Sequence, residues 1–188
     1  MPNSLPMTFA EIIMGGLLID KGMKMASGAF SGSAGASTGQ GQSVPAPATG
    51  KTLTGLTGAT AALAAAQAAS AARIPYSSSV QSSGLLAGFR SDCSGFASWV
   101  LSHASPAFAQ DPTTVDIPST AGVAPGAGQY ITIWNRALPG DAGHVILDIM
   151  GSWFESGGQQ SGGPHQMTAA AAQSEISGGL QPFHILGL

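Results

Sequence analysis

A long run of small and polar residues, from residue 26 to residue 56, restricts the fold more than any other feature of this sequence. It consists mainly of Ser, Gly, Ala, Thr, Gln and Pro, and Lys51 is its only charged residue. A segment of this composition buries too little apolar surface to offset the conformational entropy lost on folding. We therefore predict a flexible linker over residues 26–56, between an N-terminal segment, residues 1–25, and a folded domain, residues 57–188.

The N-terminal segment, residues 1–25, is apolar and rich in Met. Thr8 and Glu11 have the spacing of a capping box, which indicates a short helix. Such a helix either packs on its own domain or docks on a partner, and we predict that it docks on other proteins of an assembly. The apolar stretch over residues 9–19 is shorter than the roughly 20 residues that span a bilayer. No Lys or Arg precedes it, so we expect neither a membrane span nor an ordinary signal peptide.

Composition and charge exclude several classes of function. The formal net charge is −3, without the basic excess that favours nucleic-acid binding. Cys93 is the only cysteine, so an intrachain disulfide and a Cys-based zinc cluster are both excluded. The acidic residues do not form a metal-binding loop pattern, and no glycine-rich phosphate loop lies between a strand and a helix. We therefore expect no metal and no cofactor.

The folded domain is predicted to begin with helices and to continue with short strands. Pro75 follows an alanine-rich segment of very high helix propensity and ends it. Helices that precede an antiparallel hairpin are typical of the α+β class. The predicted elements are helices over residues 59–73, 93–104 and 168–176, and strands over residues 130–134, 144–150, 153–156 and 183–188, with a hairpin turn at Gly151 and Ser152.

Cys93 stands at the predicted start of a helix, in the sequence Asp92-Cys93-Ser94-Gly95-Phe96. The positive end of a helix dipole stabilises a thiolate, and the first amides of the helix can donate to an oxyanion. Ser91 or Asp92 would cap this helix. The pattern therefore indicates a nucleophilic cysteine, although a small buried cysteine that packs as an apolar residue has the same location.

Two further residues with suitable chemistry lie on the predicted hairpin. His144 follows Gly143 and begins an apolar strand, where a fixed imidazole can serve as a general base. Glu155 lies on the returning strand and can orient that imidazole. A hydrogen-bonded structural histidine and an exposed carboxylate are the alternatives for these two positions. His165 follows Pro164 in a polar stretch and is predicted to be a solvated loop residue, or else part of a substrate loop.

Together, RSDCSGFASWVL and GDAGHVILDIMGSWFES resemble the NlpC/P60 family of cysteine peptidases, which cleave the peptide stems of bacterial peptidoglycan. The family motif D-C-S-G-hydrophobic matches residues 92–96, and its G-H-V/T-hydrophobic motif matches residues 143–146. The resemblance covers about residues 73–156. It implies a papain-like α+β fold in which the catalytic helix packs on a small antiparallel sheet.

The resemblance also implies roles for individual residues. Cys93 would be the nucleophile, His144 the base and Glu155 the orienting residue, a position more often occupied by His in the family. Asp92 and Ser94 would contact the polar ends of the stem peptide. Tyr76, in the pair Pro75-Tyr76, matches a family tyrosine that helps to form the substrate groove. The W-G-G that usually follows this tyrosine is replaced by three serines, residues 77–79.

The resemblance therefore favours a peptidoglycan endopeptidase, with stem peptides as its partners. Tail-associated wall hydrolases of phages are delivered by infection and need no export signal, so we expect the protein in a virion tail, and otherwise at the bacterial cell wall. Two alternatives remain at this point. One is a structural tail or assembly subunit with a vestigial hydrolase module, and the other is a Cys/His N-acetylmuramoyl-L-alanine amidase.

Overall fold

The computed structural model describes residues 49–138, 143–157 and 162–188, with side chains from residue 54 onward. The predicted docking segment, residues 1–25, and residues 26–48 of the predicted linker lie outside this part of the chain. Three α-helices are described, α1 (Thr49–Ala72), α2 (Cys93–Ser102) and α3 (Ala169–Ser177). Short 3-10 helices cover Pro106–Gln110 and Ile117–Ser119.

One antiparallel sheet contains all six strands of the described residues. The strand order is β1-β6-β2-β3-β4-β5, so the hairpin of β3 and β4 lies inside the sheet. Helices and an antiparallel sheet agree with the predicted α+β class. The strands are β1 (Val123–Pro125), β2 (Ile131–Arg136), β3 (His144–Ile149), β4 (Ser152–Ser156), β5 (Pro164–Met167) and β6 (Gln181–Ile185).

The sheet has an apolar cluster on each face. On one face, Phe96 and Val100 of α2 pack in the main core with Leu147 of β3. On the other face, Ile146 packs in a smaller cluster with Ala172 of α3. Successive residues of β3 therefore point to opposite sides, as the pleat of a strand requires. The sheet thus separates α1 and α2 from α3.

Helix α1 begins at Thr49, seven residues before the predicted end of the linker, so residues 49–56 are helical and not part of a flexible linker. Gly55 and Gly58 weaken a helix on propensity alone, but here they make room for the C-terminal residue. A Cβ at Gly55 would lie 3.1 Å from the backbone of Leu188, and one at Gly58 would lie 2.9 Å from Leu188 Cδ2. At Gly55, whose neighbours are backbone atoms, close packing against the chain end therefore outweighs the low propensity. Arg73 adopts a left-handed conformation (φ 51°) after the last turn, ahead of Pro75.

The hairpin turn lies at Met150 and Gly151, one residue before the predicted turn at Gly151 and Ser152. Ile149 pairs with Ser152, and both turn residues have positive φ, 54° and 82°. This is the conformation of a type I′ turn, whose twist matches that of a two-stranded hairpin. Asp148 Oδ1 accepts a hydrogen bond of 2.9 Å from the Gly151 amide. The turn therefore fixes the register of β3 against β4.

Replacing Met150 by asparagine should stabilise the fold. Met150 is exposed and holds a left-handed conformation that asparagine tolerates better than methionine. We expect Met150→Asn to raise the free energy of unfolding by up to about 1 kcal/mol. Urea denaturation measures the change, with Met150→Leu as a control that keeps the unfavourable conformation. Equal free energies of unfolding for Met150→Asn and Met150→Leu would show that the left-handed conformation of residue 150 does not destabilise the fold.

Candidate active site

The candidate site begins at the first turn of α2. Cys93 is the first residue of this helix and is partly exposed. Asp92 caps the helix, since its Oδ1 accepts hydrogen bonds from the Gly95 amide at 2.7 Å and the Ser94 hydroxyl at 3.2 Å. The first hydrogen bond within the helix runs from the Phe96 amide to the Asp92 carbonyl. The amides of Cys93 and Ser94 precede it and point out of the helix end, where they can donate to an anion.

Arg90, which was not among the predicted site residues, anchors the loop that leads into α2. Arg90 Nε lies 2.9 Å from Asp111 Oδ2, and Arg90 Nη1 lies 3.4 Å from Asp92 Oδ2. Burial lowers the pKa of Arg90, but the hydrogen bond to Asp111 and the nearby negative charges raise it, with a net increase. A Cβ at Gly95 would collide with the Arg90 carbonyl oxygen, so the helix start packs directly on this loop.

His144 is the first residue of β3 and is buried. Gly143, immediately before it, lies against Thr114 and Leu138. A Cβ at Gly143 would collide with Thr114 Oγ1 and would lie 2.6 Å from the Leu138 carbonyl oxygen. The glycine of the Gly-His pair is therefore required by close packing, which fixes the backbone from which the imidazole projects.

Glu155 holds the His144 ring. Its Oε2 lies 3.0 Å from His144 Nε2, and the carboxylate is only 3% exposed. The register explains why the two residues are close, because Leu147 pairs with Phe154. His144, at the start of β3, and Glu155, near the end of β4, therefore lie at the same end of the hairpin.

Cys93 and His144 line the same cleft, and the Cys93 side chain is near enough to raise the pKa of His144. Since Nε2 faces Glu155, Nδ1 is the nitrogen left for the sulfur. Burial lowers the pKa of His144, but the hydrogen bonds to Cys93 and Glu155, together with the negative charges of both groups, raise it to about 9. At neutral pH the imidazole is therefore protonated beside the thiol. A nucleophile joined to a base that a third group orients is the arrangement of covalent catalysis.

The raised pKa of His144 should make stability depend on pH. The folded-state value of about 9 exceeds the ordinary value of 6.5. The stabilisation is therefore complete below pH 6.5 and is lost as the pH rises through about 9. We expect the free energy of unfolding to fall across this interval in the wild type, and to fall less in His144→Gln. Denaturant titrations at a series of pH values test this, and parallel curves for the two proteins would contradict it.

His165 contacts the other oxygen of Glu155. His165 Nε2 lies 3.1 Å from Glu155 Oε1, and His165 Nδ1 lies 3.0 Å from the Gly163 carbonyl oxygen. The prediction of a solvated loop histidine is therefore wrong, because residue 165 belongs to β5 and pairs directly with residue 155 of β4. This strand was not predicted, because Pro164 and the polar residues before it are typical of a loop. Proline is nevertheless compatible with the first position of an edge strand.

An open cleft of about 1280 Å³ surrounds this cluster. Cys93 and His144 line it, as do the three predicted substrate-binding residues, Tyr76, Asp92 and Ser94. Tyr76 is 51% exposed. Asp92 and Ser94 are 7% and 4% exposed, and their side chains hydrogen-bond to each other within the helix cap. Their contact with substrate stays a prediction.

Within residues 49–138, 143–157 and 162–188, no group of three or more His, Cys, Asp or Glu side chains is placed to hold a metal ion. Of the helices in those ranges, none has both the length and the hydropathy that a membrane crossing requires.

The structure thus brings Cys93, His144 and Glu155 together at one cleft, with His144 hydrogen-bonded to Glu155 and with Tyr76 on the cleft wall. It adds Arg90, which sequence reasoning missed, and His165, which was predicted to lie in a loop. No protein-family model matches the chain, and comparisons with curated proteins and with solved structures also give no match.

Proposed function

We propose that this protein is a cysteine peptidase that cleaves the peptide stems of bacterial peptidoglycan, with a papain-like catalytic domain of the NlpC/P60 type. The observation that carries the proposal is that Cys93 and His144 line one open cleft, where Glu155 hydrogen-bonds to His144. The D-C-S-G and G-H-V-I motifs, which supply Cys93 and His144, give the substrate class by resemblance.

In the proposed reaction, the Cys93 thiolate attacks the carbonyl carbon of a stem amide and forms a carbon–sulfur bond. The first amides of α2 donate to the oxyanion that forms. The protonated His144 gives its proton to the leaving amine as the carbon–nitrogen bond breaks, which leaves a thioester. His144 then takes a proton from water, and the hydroxide releases the new carboxylate and restores the thiolate.

The shape and polarity of the cleft support a short, charged peptide as substrate. Its wall includes exposed apolar side chains, Val115 and Leu138, and the charged residues Arg136 and Glu175. Stem peptides combine small apolar side chains with free carboxylates and amines. Both kinds of group therefore find complementary surface in this cleft.

Mass spectrometry of digested muropeptides tests the proposed function. The wild type should release fragments cut within the stem, and Cys93→Ala should release none. Ser102→Ala, at the opposite end of α2, is a matched control that should retain full activity. Release of intact stems from the sugar would instead identify an amidase. Failure of the wild type to cut any muropeptide would contradict the enzymatic proposal and favour a structural subunit.

We place this activity in a phage tail, because an apolar segment, residues 1–25, precedes a nearly uncharged stretch. Since α1 begins at Thr49, a deletion that respects the fold ends at residue 48. Deleting residues 1–48 should leave the hydrolysis of soluble muropeptides unchanged and should abolish incorporation into virions. Incorporation of the truncated chain would contradict the docking role of residues 1–25.

A further inference from the structure

The buried carboxylate of Glu155 is shared between two histidines. Oε2 lies 3.0 Å from His144 Nε2, and Oε1 lies 3.1 Å from His165 Nε2. Glu155 and His165 are directly paired across β4 and β5, so their side chains share one face of the sheet. The pairing of β4 with β5 therefore accounts for this second contact.

The His165 ring is itself anchored to the backbone. Its Nδ1 lies 3.0 Å from the Gly163 carbonyl oxygen. Gly163 packs directly on the chain that follows α1, because a Cβ there would collide with the carbonyl oxygen of Ile74. Both ring nitrogens of His165 thus face oxygen atoms of this part of the fold.

A carboxylate held by a single hydrogen bond can rotate about its terminal torsion, which is broad and has no steep minimum. With Oε1 fixed by His165, the position of Oε2 is also fixed, and Oε2 is the atom that orients His144 toward Cys93. Loss of the His165 contact would therefore disturb the catalytic pair without removing any member of it.

We propose that His165 is a positioning residue, whose hydrogen bond to Glu155 Oε1 fixes the carboxylate that aims His144 at the Cys93 sulfur. This inference rests on the proposed function, since it assigns His165 to the same reaction. It predicts that a donor at the Nε2 position matters more than the imidazole ring itself.

The test compares His165→Phe, which keeps an aromatic ring and loses the donor, with His165→Gln, which restores a nitrogen donor toward Glu155. Cys93 is the only cysteine, so the rate of alkylation by iodoacetamide reports on it alone and needs no substrate. We expect His165→Phe to slow alkylation and to lower kcat about tenfold, as loss of one hydrogen bond to a charged group implies. KM should stay unchanged, and His165→Gln should restore both rates.

A spectroscopic readout separates positioning from a purely structural role. The ring proton between His144 and Glu155 should give a downfield NMR signal in the wild type and in His165→Gln, and the signal should broaden or vanish in His165→Phe. Should His165→Phe fail to fold, His165→Thr removes the same donor on a strand-compatible side chain.

Wild-type alkylation rates and an intact signal in a folded donor-free variant would overturn the inference. So would a Gln variant as impaired as the Phe variant. Because alkylation and NMR need no muropeptide, they test His165 even if the wild type cuts no stem. That result would count against the proposed function alone.

Discussion

We expect His144→Ala to lower kcat/KM for muropeptide hydrolysis by roughly 10³-fold, within the range of general acid–base catalysis. The substitution removes the group proposed to protonate the leaving amine, together with the positive charge near Cys93. It also leaves the buried Glu155 carboxylate with His165 as its remaining histidine partner. Steady-state kinetics measure the loss, and circular dichroism shows whether the variant is folded.

Two comparisons give this prediction its specificity. His103→Ala alters a histidine at the opposite end of α2, whose Nδ1 contacts the Trp99 carbonyl oxygen, and it should keep full activity. The double variant Cys93→Ala/His144→Ala should be no less active than Cys93→Ala alone, since residues that act as a unit are not additive. A double variant markedly less active than Cys93→Ala would show that His144 acts independently of the thiol.

The sequence predicted the contact between His144 and Glu155 but not the register that produces it. A turn at Gly151 and Ser152 would pair Glu155 with Asp148, four residues along β3 from His144. The observed turn at Met150 and Gly151 pairs Leu147 with Phe154, and so moves Glu155 toward the end of β3 where His144 lies. A left-handed methionine is unfavourable locally. For that reason residue preferences pointed to the wrong pair of turn residues.

Contacts between distant segments were the least predictable part of the site. Arg90 meets Asp111 across 21 positions, and the pairing of His165 with Glu155 depends on a strand that begins with proline. Neither contact follows from periodicity, because each depends on how loops pack. By contrast, the cap at Asp92 and the helix after it were predicted correctly, because side-chain capping is determined by adjacent residues.

Gly95→Ala should destabilise the protein, although helix propensity alone favours alanine by about 1 kcal/mol. A Cβ at residue 95 would collide with the carbonyl oxygen of Arg90, which is backbone and cannot turn aside. The displaced helix start would also strain the hydrogen bond from the Gly95 amide to Asp92. Overpacking of this kind costs about 1–3 kcal/mol, and weakening of the helix cap costs about 1 kcal/mol. After the gain in propensity is subtracted, we expect Gly95→Ala to lower the free energy of unfolding by about 2 kcal/mol.

Gly58→Ala is the matched control, since it places the same methyl group in α1. Its nearest neighbour there is Leu188 Cδ2 at 2.9 Å, the end of a flexible side chain, and the next is Ala104 at 3.5 Å. Propensity should therefore dominate, with a change between zero and about 1 kcal/mol of stabilisation. Denaturant unfolding measures both variants, and Cys93 alkylation should slow in Gly95→Ala alone. Equal free energies of unfolding for Gly95→Ala and Gly58→Ala would show that the loop containing Arg90 moves to accommodate the new methyl group. This loop would then not fix the position of Cys93.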